Sequence, residues 1–307
     1  MWSVRRPITA SSEGGGTPGR VMIKGLFYIA CSSVAYGIMP VFSTQLLRSG
    51  MNSQSVVVFR FAFAAAGALA ALLLTRTPMR VSRRQFWQLV LFGLFGYGAT
   101  AFLLTSSYQY LPIGLSTMFH FSYPVLVTVI MAVLYRERVG LGKAAAIVLA
   151  AGGIVLMAEF SARLHMAGVL LALSSGLTYA IFVVANRKSA FSTLPPLVIV
   201  FYTTAALTVF FAGQSALTGK LIAPPTPFAW LCTVMVGLLC SLFALCMLNM
   251  AIRTIGATNA AIGNLLEPLT SLAAGAIVYG DRVDLRTGIG CGLVFAAVLL
   301  VVLSGRK

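Results

Sequence analysis

The chain alternates apolar stretches of about 20 residues with short polar segments. A stretch of that length matches the hydrocarbon layer that a transmembrane helix crosses. Within each stretch apolar residues occupy every side of a helix, so the pattern predicts helices in lipid, not amphipathic helices of a soluble protein. The strict alternation of apolar and polar residues that a membrane β-barrel needs does not occur in the sequence.

We predict an all-α polytopic membrane protein with ten transmembrane helices. The predicted spans are Lys24–Leu47, Ser53–Thr75, Phe86–Tyr108, Pro112–Tyr135, Gly142–Met157, Met166–Asn186, Pro196–Leu217, Phe228–Ile252, Gly256–Tyr279 and Leu285–Leu303. Residues 1–21 are polar and rich in Gly and Ser, and we expect a disordered cytoplasmic tail there. No apolar signal-peptide segment precedes Val21, so the first span is expected to direct the chain to the membrane.

Basic residues predict the orientation of these spans. With the N-terminus in the cytoplasm, sixteen of the 22 lysines and arginines lie on the cytoplasmic side and only five lie outside. This bias predicts cytoplasmic N- and C-termini, N-in/C-in, in a multi-pass protein of the cell inner (plasma) membrane. The net charge of +16 then has an explanation in topology and anionic lipid headgroups, so we expect no nucleic-acid partner.

The second half of the chain repeats the first. At an offset of 144 residues, or 143 near the start, matching residues include Gly93 with Gly237, Pro124 with Pro268, Tyr135 with Tyr279, Glu137-Arg138-Val139 with Asp281-Arg282-Val283, and Tyr36 with Tyr179. An ordered set of matches indicates a duplication, with one five-helix repeat in 22–160 and the other in 161–305. Because five is odd, the second repeat enters the membrane from the opposite side, as in the inverted-topology repeats of many secondary transporters.

Two repeat-related prolines, Pro124 and Pro268, are predicted at the middle of the fourth and ninth spans. Each lacks an N–H and so frees the carbonyl four residues earlier, which belongs to His120 or Asn264. A freed carbonyl at this depth needs protein or water as a partner. A packing kink would account for either proline alone, but the matched polar residue in both halves favours the wall of a polar cavity.

Glu267 is a carboxyl group inside an apolar run, and Tyr123 takes its place in the first repeat. A charge at the bilayer centre costs roughly 2.5–3.5 kcal/mol on insertion scales, so Glu267 is expected to face the interior, to be protonated, or both. Surroundings of low dielectric constant favour the neutral acid, which is the property that a proton-coupling site needs. A static hydrogen bond to a neighbouring helix is an equally good explanation at this stage.

Arg60 and His120 are the other candidates for coupling. Arg60, in the second span, could pair with Glu267 or bind an anionic substrate group; the alternative is that it snorkels outward or caps backbone carbonyls. His120 could titrate near neutral pH, or it could simply be hydrogen-bonded.

The remaining candidates for a midplane, substrate-binding cavity are aromatic or polar residues in the same helices. They are Tyr36, Thr105, Phe119, His120, Tyr123, Tyr179, Asn249, Asn264 and Glu267. The aromatic side chains could form walls for an amphipathic substrate, and repeat-related Thr105 and Asn249 could add hydrogen bonds. Ordinary helix packing would also explain the aromatic residues.

Small residues characterise the fifth and tenth spans, with Ala144–Ala146 in one and a Gly288-x-x-x-Gly292 spacing in the other. Such residues let helices approach closely, so we expect packing helices here and a homodimer through their small-residue faces. The cysteines lie within apolar stretches and show no metal-ligand spacing, so we predict no metal and no cofactor.

The closing motifs carry a family resemblance. Pro124-Val125 through Glu137-Arg138, Glu267-Pro268 through Asp281-Arg282, and Arg60 within Phe-Arg-Phe together resemble the EamA-type transporters of the drug/metabolite transporter superfamily. The resemblance covers about residues 22 to 304. One departure is Asp281, which stands where the family usually has glutamate.

The resemblance implies alternating access around a cavity lined mainly by spans one, three, four, six, eight and nine. It also implies export of amino acids, related metabolites or amphipathic drugs. An uncoupled facilitator or exchanger of small metabolites is the alternative. With six acidic residues and no cluster of catalytic groups, the sequence does not favour an enzyme, and it lacks the polar rings expected of a channel.

Overall fold

A computed structural model of the chain describes residues 18–111, 113–157, 165–279 and 285–304. Within these ranges the chain forms helices joined by short turns and contains no β-strand, which confirms the all-helical prediction. The helices are α1 Pro18–Arg48, α2 Ser53–Leu74, α3 Arg83–Ser107, α4 Ile113–His120, α5 Tyr123–Tyr135, α6 Leu141–Met157, α7 Met166–Lys188, α8 Pro196–Thr218, α9 Pro227–Ile255, α10 Ala257–Gly263, α11 Leu266–Tyr279 and α12 Leu285–Ser304.

Six of these helices are long and apolar enough to cross a membrane, namely α1, α2, α3, α7, α8 and α9. They correspond to predicted spans one, two, three, six, seven and eight. Their length and composition make the chain a multi-pass membrane protein. The other four predicted spans contain shorter apolar helices, so the count of ten stays a prediction.

Two features differ from the sequence prediction. Helix α1 begins at Pro18, so residues 18–21, which we assigned to the disordered tail, are helical. Spans four and nine are each two helices rather than one kinked helix: a turn separates α4 from α5, and another separates α10 from α11. Residues 1–17, Pro112 and the Asp281-Arg282 pair lie outside the described residues.

Local sequence explains where several helices begin. The Asn52 side chain accepts a hydrogen bond from the Ser55 backbone N–H at 2.7 Å and caps α2. Ser82 and Gln85 form a reciprocal capping box at the start of α3. Such caps satisfy backbone donors that the first helical turn leaves without an intrahelical partner.

The helices pack in pairs that link the two halves of the chain. Helix α1 contacts α9 and α11, and α7 makes the equivalent contacts with α3 and α5. Helix α2 packs on α8 and α9, and α8 packs in turn on α3. The two halves therefore interlock, because the first two helices of each half pack on helices of the other.

Helices α6 and α12 pack against each other at the side of the bundle. A Cβ atom added at Gly153 would lie 2.6 Å from the Gly290 carbonyl oxygen, so this small-residue contact serves to join two helices of one chain. Gly152, Gly288 and Gly292 have open space beside them. The homodimer prediction therefore concerns that outer face and not the face at Gly153.

Each of the two central helices α3 and α9 widens into a π-helix near its middle. The π-helical segments are Gly93–Gly98 and Leu238–Phe243. A π-helix bonds each N–H to the carbonyl five residues earlier, is rare, and frequently occurs at functional sites.

Candidate functional site

The helix break before Pro268 gives the Asn264 carbonyl a hydrogen-bond donor, which the proline would otherwise have left it without. Asn264 and Leu265 form a turn, and the Glu267 N–H donates to the Asn264 carbonyl at 2.9 Å. That carbonyl would have bonded the N–H which Pro268 lacks. The break therefore places Glu267 in the first turn of α11, one residue before the proline.

Asn264 connects three helices through its side-chain amide. Its Nδ2 donates to a Glu267 carboxylate oxygen, Oε2, at 2.8 Å and to the Tyr123 hydroxyl at 2.9 Å. Its Oδ1 accepts from the Ser33 hydroxyl at 3.0 Å. Asn264 is fully buried, whereas Glu267 is partly exposed, so the network has a sealed centre and its acidic group lies at the less buried edge.

The first half has a smaller counterpart of this network. His120, one turn before Pro124, lies with its Nδ1 at 2.9 Å from the Ser175 hydroxyl oxygen. That hydroxyl donates to the Ala172 carbonyl at 2.6 Å, so its hydrogen is already engaged and Nδ1 is assigned as the donor. In each half, then, the polar residue before the proline bonds a serine on the first helix of the other half.

Aromatic rings connect the two breaks. Tyr123 and Tyr179 pack edge to face with centroids 4.7 Å apart, and the His120 ring lies 5.4 Å from Tyr179. Tyr36 and Tyr97 bring their hydroxyl oxygens to 3.5 Å. These four tyrosines are buried, so the predicted aromatic walls are in mutual contact, not facing an open cavity.

Arg60 does not pair with Glu267. Its Nε donates to the Ser241 hydroxyl and its Nη2 donates to the Tyr97 hydroxyl, each at 2.7 Å. The side chain is buried, and the one ion pair within the described ranges joins Lys143 to Glu137 at 3.2 Å. Arg60 and Glu267 therefore belong to separate hydrogen-bond networks.

Three further predicted residues join neither network. Asn249 is buried, and its Nδ2 donates to the Leu245 carbonyl of its own helix at 2.8 Å rather than across a cavity. Thr105 and Phe119 are partly buried.

Four residues on which these networks depend are not among the predicted site residues: Ser33, Tyr97, Ser175 and Ser241. Serines are unremarkable in apolar stretches, since they pack as small residues. One available signal was the 144-residue offset, which places Tyr97 on Ser241.

Two glycines let the first helix of each half approach the break of the other. A Cβ atom at Gly37 in α1 would lie 2.8 Å from the Glu267 carbonyl oxygen. One at Gly176 in α7 would lie 2.8 Å from the His120 carbonyl oxygen. Side chains at these positions would force the helices apart.

A cleft of about 590 Å³ opens at one end of the bundle, between the ends of α1, α5, α7, α9 and α10. Its lining combines apolar Met22 and Met131 with charged Glu137, Arg187 and Lys188. It lies at the end that the sequence analysis assigns to the cytoplasm.

A multi-pass helical membrane protein with polar groups at two central helix breaks has the architecture of a membrane transporter. The sequence profile of the EamA-like transporter family matches residues 23–158 and again 166–303. The chain belongs to this family, and the two matches fall on the two halves that the internal offset defines.

Similar proteins agree with that assignment. An uncharacterized transporter of Archaeoglobus fulgidus is 27% identical over 286 residues, covering 92% of this chain and 97% of the relative. An uncharacterized transporter of Haemophilus influenzae is 29% identical over 120 residues, or 38% of each chain. A solved crystal structure matches the fold with a TM-score of 0.75 over 94% of this chain and 97% of its own, at 16% identity.

Proposed function

We propose that the protein is a secondary-active exporter of amino acids, related metabolites or amphipathic drugs, coupled to protons through Glu267. The observation that carries this proposal is the Asn264 network. A partly exposed acidic group at a helix break is held by an amide that also bonds helices of the other half. Proton uptake or release at Glu267 would therefore change contacts between the halves.

The helix packing supports alternating access between two inverted five-helix halves. Contacts of α1 with α9 and α11 correspond to contacts of α7 with α3 and α5, and α2–α9 corresponds to α8–α3. Helices α2 with α8, and α6 with α12, pair with their own counterparts. Such a pattern is what a pseudo-two-fold arrangement requires, and in secondary transporters that arrangement supports alternating access around a site at the interface of the repeats.

The site's composition favours a substrate that is polar at one end and apolar or aromatic at the other. Tyr123, Tyr179 and the His120 ring pack against one another in this conformation, and they would expose aromatic surface to a substrate when the halves move apart. Glu267 would supply an acceptor. With the N-in/C-in orientation in the inner membrane, the charged cleft beside Arg187 opens to the cytoplasm, where an exporter loads its substrate. A homodimer through the outer faces of α6 and α12 remains our proposal for the assembly.

A flux screen tests this function. Proteoliposomes are loaded with radiolabelled amino acids and metabolites, and flux is measured with and without a pH gradient. Glu267→Gln keeps the shape of the side chain but cannot release a proton, so we expect it to lose gradient-driven flux and to retain substrate exchange. Glu267→Asp is the matched control, because it keeps a carboxyl group at the same position that can still bind and release a proton.

The screen also separates the alternative, an uncoupled facilitator or exchanger. Such a protein would show counterflow in the absence of any ion gradient, and the gradient would not change its net flux. Gradient-driven flux of Glu267→Gln equal to that of the wild type would overturn the coupling role.

A further inference from the structure

Arg60 in α2 connects the two π-helical segments of the bundle. Its Nε donates to Ser241 in the π-helix of α9, and its Nη2 donates to Tyr97 in the π-helix of α3. Both distances are 2.7 Å, at the short end for N–H···O bonds, as expected for charge-assisted bonds. One side chain therefore joins a central helix of the first half to a central helix of the second.

The two hydroxyls that Arg60 binds occupy equivalent positions in the repeat. Tyr97 and Ser241 are related by the same offset of 144 that relates Pro124 to Pro268. At this offset the π-helical segments also coincide to within one residue. The guanidinium group thus contacts the same site of both halves at once.

The arginine itself has no such equivalent. At the same offset α8 carries Thr204, whose hydroxyl donates to the Val200 carbonyl of its own helix at 2.8 Å. Arg60 is therefore a one-sided addition to a repeated framework, and its charge belongs to the first half alone.

The surroundings hold the guanidinium group in place. Arg60 is 7% exposed, and its charged carbon lies 5.3 Å from the centre of the Phe61 ring and 5.5 Å from that of Tyr97. Burying a charge costs free energy unless polar or aromatic groups compensate for it, so these contacts fix the position of the guanidinium group.

The bond to Ser241 also reaches the π-helix backbone. The Ser241 hydroxyl, which accepts from Arg60, donates to the Val236 carbonyl five residues earlier at 2.9 Å. A Cβ atom at Gly237 would lie 3.1 Å from the Arg60 carbonyl oxygen, so α2 and the start of this segment are in direct contact. A change in the π-helix of α9 would therefore alter the hydrogen bond between Arg60 and Ser241. Loss of that hydrogen bond would in turn alter the π-helix.

We propose that Arg60 is a positioning residue that couples the two π-helical segments, so that α3 and α9 change conformation together during transport. The coupling to transport rests on the proposed alternating-access function. The physical link between Tyr97, Arg60 and Ser241 does not depend on that function.

Hydrogen–deuterium exchange of the full-length protein in lipid nanodiscs tests the link without any substrate. Tyr97→Phe removes one hydroxyl from α3. We expect backbone exchange in 238–243, where no residue has changed, to rise roughly fivefold. Ser241→Ala should raise exchange in 93–98 in the same way. Tyr202→Phe is the control, because its hydroxyl donates to the Met79 carbonyl, away from Arg60, and it should leave both segments unchanged.

Arg60→Lys tests whether the link between the two segments depends on the two hydrogen bonds of Arg60 or only on its positive charge. Lysine keeps the positive charge but has one nitrogen in place of the separate Nε and Nη2 donors, so we expect faster exchange in both segments. The proposal would be overturned if Arg60→Lys exchanged at the wild-type rate in both segments and Tyr97→Phe raised exchange in 93–98 alone. If Tyr97→Phe does not yield folded protein, Ser241→Ala decides alone: unchanged exchange in 93–98 refutes the link. The exchange result stands whatever the flux of Glu267→Gln shows, so failures of the two proposals are distinguishable.

Discussion

Replacing Asn264 with leucine should destabilise the protein through lost hydrogen bonds, with little change in packing. Leucine and asparagine are similar in size, and Asn264 is completely buried. The substitution removes the bonds to Ser33, Tyr123 and Glu267 together. It also leaves those three polar groups with fewer partners in the interior.

The expected loss follows from measured values for membrane proteins. Hydrogen bonds between transmembrane helices contribute about 0.6 kcal/mol on average and up to about 1.7 kcal/mol, so three bonds give about 2–5 kcal/mol. We expect about 2–3 kcal/mol, because the Tyr123 hydroxyl also lies 3.5 Å from the Ala261 carbonyl oxygen and keeps a weak acceptor. For a chain of this length that corresponds to a fall in Tm of about 3–5 °C.

Asn186→Leu is the matched control for this prediction. Asn186 is also buried, but its Nδ2 donates only to the Phe182 carbonyl of its own helix, and its Oδ1 has no partner among the described residues. Leucine there removes an unsatisfied acceptor, so Tm should change by about 1 °C or less, or rise. Thermal unfolding of both variants in the same detergent measures the difference. Equal losses for the two variants, or an Asn264→Leu protein as stable as the wild type, would refute the argument.

Two further predictions concern packing and charge. Gly37→Ala should cost about 1–3 kcal/mol of stability, because the new Cβ would meet the Glu267 carbonyl. Gly213→Ala is the control: it has open space and should be neutral or stabilising. Thermal unfolding compares the two variants, and equal stability would contradict the close approach of α1 to α11 at Gly37. Lys143→Gln should cost less than about 1 kcal/mol, because the ion pair with Glu137 is partly exposed; a larger loss that persists at high salt would show that the pair is more than a surface contact.

Much of the fold could be predicted from the sequence, because lipid constrains helices strongly. Apolar length alone identified the six long helices. It could not predict the breaks at Phe121-Ser122 and Asn264-Leu265, because a proline in a membrane helix permits either a kink or a complete turn. Which one occurs depends on partners from other helices, such as Ser33 for Asn264.

The candidate site was only partly accessible to sequence reasoning. A carboxyl group or an arginine in an apolar run is conspicuous because its burial is costly, so Glu267 and Arg60 were identified. Their partners were not, since a hydroxyl in a helix carries no comparable signal. Whether Arg60 meets Glu267 or Tyr97 depends on helix rotation, which is set by packing. The π-helices that turn Tyr97 and Ser241 towards Arg60 have no signature that we could read in the sequence.

The repeat makes the unmatched residues the informative ones. In a perfectly inverted repeat the two transport states would be related by a two-fold rotation and equal in free energy, because exchanging the halves would convert one state into the other. The centre of this protein departs from that equality at several equivalent positions, among them Tyr123 against Glu267, His120 against Asn264, and Tyr97 against Ser241. The two residues of each pair occupy equivalent positions in the repeat but differ in side-chain chemistry. Under the proposed mechanism these pairs, with Arg60, set the free-energy difference between the states. Variants at Asn264 and Arg60 should therefore shift which state is populated as well as how fast the states exchange.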